Sequence, residues 1–197
     1  MQHRSSARIG IALLIVIVAV IMLGGAVFLA QSLFAGGASK TQSGETSLLS
    51  EPTDNTTVKM IVRGPIVAKE NHYSIQLDIN NSKRRLVIYR GYDQAEEVQK
   101  IELDNDAGAF TDLLLALRDN RYTDSMVTSI EKNDGLCASG QIIDFQLADG
   151  DQVKSDLWTT SCASVGGNFG GNSTGVIQLL LDQIPGSREA ISRAKSL

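Results

Sequence analysis

The first long pattern in the chain is an uncharged, largely apolar run from Ile9 to Ala30. At a rise of ~1.5 Å per residue, a helix of this length is roughly 33 Å long, which matches the ~30 Å hydrocarbon core of a bilayer. Basic residues precede the run, and no charge follows it until Lys40. Because basic flanks mark the cytoplasmic side, we predict a cytoplasmic segment over residues 1–8 and a single membrane span over residues 9–30.

Two other interpretations of the run stay open. A secretory signal peptide also begins with basic residues, but its apolar core is only ~7–15 residues long. Ala30 and Ala38, with small neighbours, would then mark a cleavage site. The other interpretation is a buried helix of a soluble core. The expected location is the plasma membrane, with a single pass and the C-terminal domain outside, and the alternative is secretion after signal cleavage.

The segment after the run is rich in Ser, Thr and Gly and has few large apolar side chains. That composition is typical of a flexible linker, which we predict over residues 31–57. The remainder, residues 58–197, has the usual size of a single domain with its own core.

Within this domain the clearest pattern is the alternation of apolar and polar residues from Tyr73 to Asn80. A period of two predicts a half-buried antiparallel strand. Residues 58–68 and 84–90 flank it, are rich in β-branched side chains and are separated from it by turn residues, which predicts a three-stranded meander. Residues 94–103 combine a capping-box pattern with strand-like alternation, and we favour a strand near their end.

After the predicted meander, apolar residues recur at the spacing of an α-helix. Four apolar residues at this spacing share one face: Phe110, Leu113, Leu114 and Leu117. Either Asn105 or Asp106 can cap the start of this helix. A second helix with a broad apolar face is predicted over residues 176–184, ended by Pro185, and a weaker amphipathic segment closes the chain at residues 187–195.

Three further strands are predicted over residues 126–131, 142–147 and 152–158. With the meander and the helices, they make an α+β domain with a mainly antiparallel sheet and two packed helices on one face. A turn at residues 148–150 would place Phe145 opposite Val153, whereas a tighter turn would place it opposite Lys154. We favour the longer turn because it buries Val153.

Cys137 and Cys162 lie almost symmetrically about the turn at Asp149 and Gly150. Outside the cytoplasm such a pair is expected to oxidise. A catalytic dithiol usually has Cys-x-x-Cys spacing, and zinc requires more ligands than the one histidine of the domain, His72, could add. We therefore predict a structural disulfide and no metal site.

Charge narrows the range of partners. Arg4 and Arg8 are the only charged residues before Lys40, so the remainder carries 16 basic and 22 acidic residues, a net charge of −6. An acidic domain of this kind is not a nucleic-acid binder.

The best candidate for a binding site is the glycine-rich segment before the second predicted helix. Backbone amides in such a turn can bind an anion, and a hydroxyl can assist them. The segment has no Lys where a P-loop requires one and fits no dinucleotide fingerprint, so a simple capped loop is the alternative. The candidate contact residues are Gly167, Asn168, Gly170, Gly171, Asn172, Ser173, Thr174 and Trp158.

Three aromatic residues are candidates for stacking on a sugar or a peptide: Tyr89, Tyr92 and Trp158. Burial in the core is the alternative for each of them.

The chain contains no complete catalytic motif. Residues 171–175 match the Gly-x-Ser-x-Gly turn of hydrolases, but the histidine of that arrangement follows the serine, whereas His72 precedes Ser173. We therefore predict no catalytic residue and no cofactor. A rival hypothesis is an envelope hydrolase or transferase that uses carboxylates with Ser173 or His72. The carboxylates available to it are Asp134, Asp144 and Asp156.

The layout resembles that of short, single-span bacterial envelope proteins that hold one disulfide-stapled domain outside the membrane. This resemblance concerns the layout and assigns no functional residue. It implies a membrane-anchored extracytoplasmic binding or scaffolding module whose partner is an envelope protein or a wall polymer. A further alternative is an accessory subunit that packs through its transmembrane helix within a larger membrane complex.

Overall fold

The computed structural model describes residues 42–128, 130, 133, 135–163 and 165–194. The predicted span over residues 9–30 lies outside this part of the chain. In the described part the elements are α1 (Gln42–Ser50), β1 (Thr56–Arg63), β2 (Tyr73–Asn80), β3 (Lys83–Arg90), β4 (Glu96–Asp104), α2 (Ala107–Asp119), β5 (Ile142–Asp149), β6 (Gln152–Thr160), α3 (Ser173–Asp182) and α4 (Ser187–Ala194). None of these helices has both the length and the hydrophobicity needed to cross a bilayer.

The strands form one antiparallel sheet in the order β4-β3-β2-β1-β5-β6. Consecutive strands β1 to β4 make a meander, and the β5–β6 hairpin joins it through pairing of β5 with β1. The α+β class and the predicted meander are confirmed. The ambiguous segment before α2 is a strand, β4.

Alternation along the strands places one face of the sheet against the helices. Val58 and Met60 of β1, for example, are at most 1% exposed, whereas Thr57 and Lys59 point to the opposite face. Burying one large aliphatic or aromatic side chain contributes ~1.5–3 kcal/mol, so the face between sheet and helices supplies most of the stabilisation. The opposite face has no helix packed on it among the described residues, and we call it the open face.

Helix α2 begins and packs as predicted. The side chain of Asp106 accepts a hydrogen bond from the backbone N–H of Ala109 at 2.9 Å and caps the helix, while Asn105 bonds to Asn80 instead. The predicted apolar face of α2 is buried in the main core.

The folded unit begins earlier than expected. The linker predicted over residues 31–57 is too long, because residues 42–50 form α1 and Leu49 is 1% exposed within the main core. Thr56 and Thr57 already belong to β1. A short helix with one or two buried leucines has a weak sequence pattern, since most of its positions are small or polar. The described part contains four α-helices rather than two packed ones: α1 was not expected, and α4 lies where the amphipathic segment over residues 187–195 was predicted.

The strand predicted over residues 126–131 is absent: none of the described residues in this segment belongs to a strand, and Met126 and Val127 are exposed. Only Ser125 forms an isolated bridge, with Phe169. A further strand would need a free sheet edge, but Asn168 and Phe169 already bond to Trp158 of β6.

The β5–β6 hairpin differs from both predicted registers. Phe145 pairs with Leu157, the turn is centred on Gly150 and Asp151, and a bulge shifts the register between Leu147 and Ala148. Gly150 has a φ of +58°, which a glycine adopts without strain. Val153 is 55% exposed, so the assumption that it is buried caused the error.

The predicted disulfide is confirmed: Cys137 and Cys162 are bonded, with their Cα atoms 5.8 Å apart. Both cysteines lie beyond the paired residues of β5 and β6. They belong to a small second hydrophobic cluster with Ile142 and Trp158, and these two side chains alternate onto the open face. The disulfide therefore ties two irregular connections together over one end of the sheet.

Replacing both cysteines (Cys137→Ser with Cys162→Ser) should lower the free energy of unfolding by about 3.5 kcal/mol, because the bond closes a loop of moderate length in the unfolded chain. Urea unfolding of the detergent-solubilised chain, followed by tryptophan fluorescence, measures the change. Reductant should bring the wild-type protein to the same stability and leave the double variant unaffected. Equal stability of the wild type and the double variant without reductant would contradict this prediction.

Candidate functional site

The half of the open face near the β5–β6 turn is a solvated trough with paired charges. It has a volume of about 560 Å³ and is lined by charged side chains of β1, β2 and β3. Asp78 lies 2.8 Å from Arg85 and 3.7 Å from Lys59. Exposed ion pairs of this kind contribute little to stability, so their main effect is to neutralise this half of the face.

The other end of the open face holds a concave site, which we call the end cleft. It consists of two adjoining cavities that share Arg63 and Gln94. The outer basin has a volume of about 810 Å³ and is lined by Asp144, Asp156 and Trp158 among others. The inner pocket has a volume of about 300 Å³. Its polar lining includes His72 and Ser74, and its apolar lining includes Ile66, Tyr92 and Ile142.

A partly buried ion pair between Arg63 and Asp144 lines the outer basin. Nε and Nη2 of Arg63 each donate to a different oxygen of Asp144 at 3.1 Å, which is a bidentate arrangement. Asn133, from the disulfide-tied connection, donates to Asp144 at 2.8 Å and accepts from Arg63 at 2.8 Å. The three side chains therefore fasten this connection to β1 and β5.

The Asp144 side chain is 13% exposed. Burial raises its pKa, although the charge of Arg63 and the hydrogen bonds from Asn133 and Arg63 act in the opposite direction. Because both oxygens of the Asp144 carboxylate accept hydrogen bonds within the protein, the arrangement is suited to positioning rather than to proton transfer.

The groups of the rival catalytic hypothesis are only partly brought together. Asp144 and Asp156 share the outer basin, and His72 lies in the inner pocket. Ser173 begins α3 and lines neither cavity, and Asp134 lies outside the described residues. Among the described residues, no group of three or more His, Cys, Asp or Glu side chains is placed to hold a metal ion.

The glycine-rich segment closes the edge of β6. Phe169 N–H donates to Trp158 O at 3.0 Å, and Gly170 N–H donates to Asp124 O at 2.7 Å. Asn172 caps α3 by accepting from Gly175 N–H at 3.1 Å. These amides, which an anion would use, are already bonded to protein groups.

Trp158 and Asn168 are the predicted contact residues that line the outer basin. Asn168 accepts a hydrogen bond from the backbone N–H of Trp158 at 2.6 Å. The Trp158 side chain is 6% exposed because it packs in the disulfide cluster. Ser173 and Thr174 form the first turn of α3 instead. The glycine-rich segment thus contributes to the cleft through Asn168.

The inner pocket contains two residues that the sequence did not single out, Ser74 and Gln94. Strand alternation turns Ser74 onto the open face beside Arg63, where it is 2% exposed and its Oγ has no hydrogen-bond partner among the described residues. Gln94 lies in the β3–β4 turn with a φ of +53°, an uncommon conformation for a residue other than glycine. In an alternating strand a single serine is expected at a solvent-exposed position. No local sequence pattern therefore indicates that Ser74 is buried in a pocket.

No protein-family model matches this chain, and it has no significant match among curated proteins.

Substituting Gly167→Ala should destabilise the protein by about 1–3 kcal/mol, because the new methyl group would collide with the carbonyl oxygen of Trp158 and push the glycine-rich segment off β6. Gly166→Ala is the matched control: its Cβ would meet nothing within 4 Å, and its effect should stay within about 0.5 kcal/mol. Urea unfolding measures both. Equal effects of the two substitutions would show that the segment does not depend on this close approach.

The raised pKa of Asp144 predicts a pH dependence of stability. The folded state holds this proton more tightly than the unfolded chain does, so the stabilisation is present at low pH and is lost as the pH rises through the raised pKa. The stability of the wild type relative to Asp144→Asn should therefore fall as the pH rises from about 4, the usual pKa of an aspartate in an unfolded chain, through the raised pKa of the folded state. Urea titrations at several pH values measure this difference.

Asp104 provides a control of opposite sign. A hydrogen bond and the charge of Lys83 lower the pKa of Asp104, so the wild type should gain stability relative to Asp104→Asn as the pH rises through the acidic range. A constant difference between wild type and Asp144→Asn across the pH range would contradict the assignment of a raised pKa to Asp144.

Proposed function

We propose that this protein is a membrane-anchored, extracytoplasmic binding module of the cell envelope, and that the end cleft is its binding surface. The observation that carries the proposal is the cleft itself: two adjoining cavities at one end of the open face, with side chains held in place by a sheet and a disulfide. Concave sites with a few fixed polar groups among apolar walls are the usual form of a binding site.

The proposed location rests on the sequence. The apolar run from Ile9 to Ala30 and its basic flank favour a signal anchor with the domain outside. The disulfide between Cys137 and Cys162 supports an oxidising compartment, because such bonds rarely persist in the cytosol.

An envelope hydrolase or transferase is the second candidate, favoured by the presence of Asp144 and Asp156 in one basin. Against it, Asp144 is held by Arg63 and Asn133, and Ser173 lies outside the cleft. A binding role requires neither a free general base nor a nucleophile, so it agrees better with this geometry.

The proposal predicts that the cleft contacts its partner in the cell. A photo-crosslinking amino acid in place of Asp156, which is exposed in the outer basin, should give a defined adduct on irradiation. The adduct is either a discrete protein band or material that sediments with the wall polymer. The matched control is the same substitution at Gln178, which is exposed on α3.

Adducts at Asp156 and none at Gln178 would support the cleft as the binding surface. The absence of any adduct at Asp156, or equal adducts at both positions, would contradict it.

A further inference from the structure

We propose that the inner pocket and its mouth bind a neutral sugar chain of an envelope polysaccharide, with Ser74 and His72 as hydrogen-bonding groups for the ring inside the pocket and with the free face of Tyr92 as the stacking surface for the adjoining ring. This inference names the ligand class of the cleft and rests on the proposed binding function.

Ser74 is the first reason for a hydroxyl-bearing ligand. Its side chain lines the inner pocket and is buried, and its Oγ bonds to no other described residue. Buried polar atoms without a partner are rare in folded proteins and call for an explanation. A ligand hydroxyl in the pocket would supply the missing partner, because a serine Oγ both donates and accepts.

His72 supplies a complementary acceptor. Its Nδ1 lies 3.0 Å from the carbonyl oxygen of Pro65, and a carbonyl oxygen can only accept. In the neutral ring Nδ1 therefore carries the proton, which leaves Nε2 as an acceptor. His72 is 5% exposed and lines the same pocket as Ser74. An acceptor beside a serine hydroxyl suits a ligand whose groups both donate and accept, as sugar hydroxyls do.

Tyr92 is an exposed ring that the protein holds in a fixed orientation. It stacks on His72 with 3.9 Å between ring centroids, and its hydroxyl both accepts from Val67 N–H at 2.9 Å and donates to Val67 O at 2.6 Å. Even so, 51% of the residue remains exposed. An immobilised aromatic surface at a cavity mouth loses little entropy on binding, and it offers an apolar plane for the C–H face of a sugar ring.

Charge and size point in the same direction. The charge of Arg63, which lines the pocket, is compensated by Asp144, and the pocket is otherwise lined by side chains such as Ser74, Tyr92 and Gln94 that carry no charge. A volume of about 300 Å³ is at the low end for ligand pockets, which suits a single ring. The outer basin continues from the pocket past Arg63 and Gln94, so the adjoining units of a polymer have space.

Binding is tested on the full chain in a detergent without a sugar headgroup, by isothermal titration calorimetry. The probes are chitotetraose, cellotetraose and the neutral peptide tetra-alanine. We expect binding of at least one oligosaccharide and none of the peptide. A difference between the two oligosaccharides would show whether an acetamide group is required. Binding of the peptide alone, or of no probe, would overturn the assignment to sugars.

Variants locate the site. Ser74→Ala should weaken oligosaccharide binding about tenfold without lowering the melting temperature, because the hydroxyl makes no bond in the free protein. Ser155→Ala, a matched buried serine on β6 outside the pocket, should leave binding unchanged. Tyr92→Phe should retain more affinity than Tyr92→Ala, since it keeps the ring. Binding that is insensitive to Ser74→Ala would overturn the proposed site.

The two proposals fail in different ways. Adducts at Asp156 in cells together with no oligosaccharide binding would reject the sugar and keep the binding module, whereas the absence of adducts would reject the binding surface itself.

Discussion

The covalent link between Cys137 and Cys162 is the constraint on which the open face of this molecule depends. The described residues of the connections that carry the two cysteines belong to no helix or strand. Ordering such segments costs conformational entropy, and a small cluster around Trp158 could not offset it alone. Once the link is formed, Cys137 is fixed as a wall of the inner pocket and Asn133 is held against Asp144.

The one-sided packing of the sheet explains why the cleft lies where it does. The helices cover one face, so every second residue of each strand must be compatible with water on the other. Over most of that face the solvent-facing positions carry oppositely charged side chains that form ion pairs, such as Asp78 with Arg85. At the disulfide end the connections cover the open face of the sheet. Polar side chains of the strands, such as Ser74, are therefore buried beneath them. A pocket that contains one buried hydroxyl without a partner among the described residues, that of Ser74, is the direct result.

The elements with a strong period could be predicted from the sequence, and those that depend on distant partners could not. The alternation in β2 and the apolar face of α2 are local, as is the Asp106 cap, and each has its predicted form. The hairpin register failed because Gly150 permits more than one turn and because Val153 is apolar yet exposed. The described residues of the segment 126–131 form no strand, and beside them Asn168 and Phe169, from far along the chain, bond to the β6 edge.

The candidate site shows the same contrast between local sequence patterns and features that depend on distant residues. The glycine-rich segment has the composition of a ligand-binding loop, but its glycines are required where backbone approaches backbone, as at Gly167 beside Trp158. The Phe169 amide bonds to β6 and covers part of that sheet edge, while the amides of Gly170 and Asn172 bond to Asp124 and Asn120, so these amides hold the segment in place. The residues to which we assign ligand binding, Ser74, His72 and Tyr92, have no common motif because a strand, a short connection and a turn bring them together. In this fold the conspicuous motif maintains the structure, and the proposed binding residues look ordinary in the sequence.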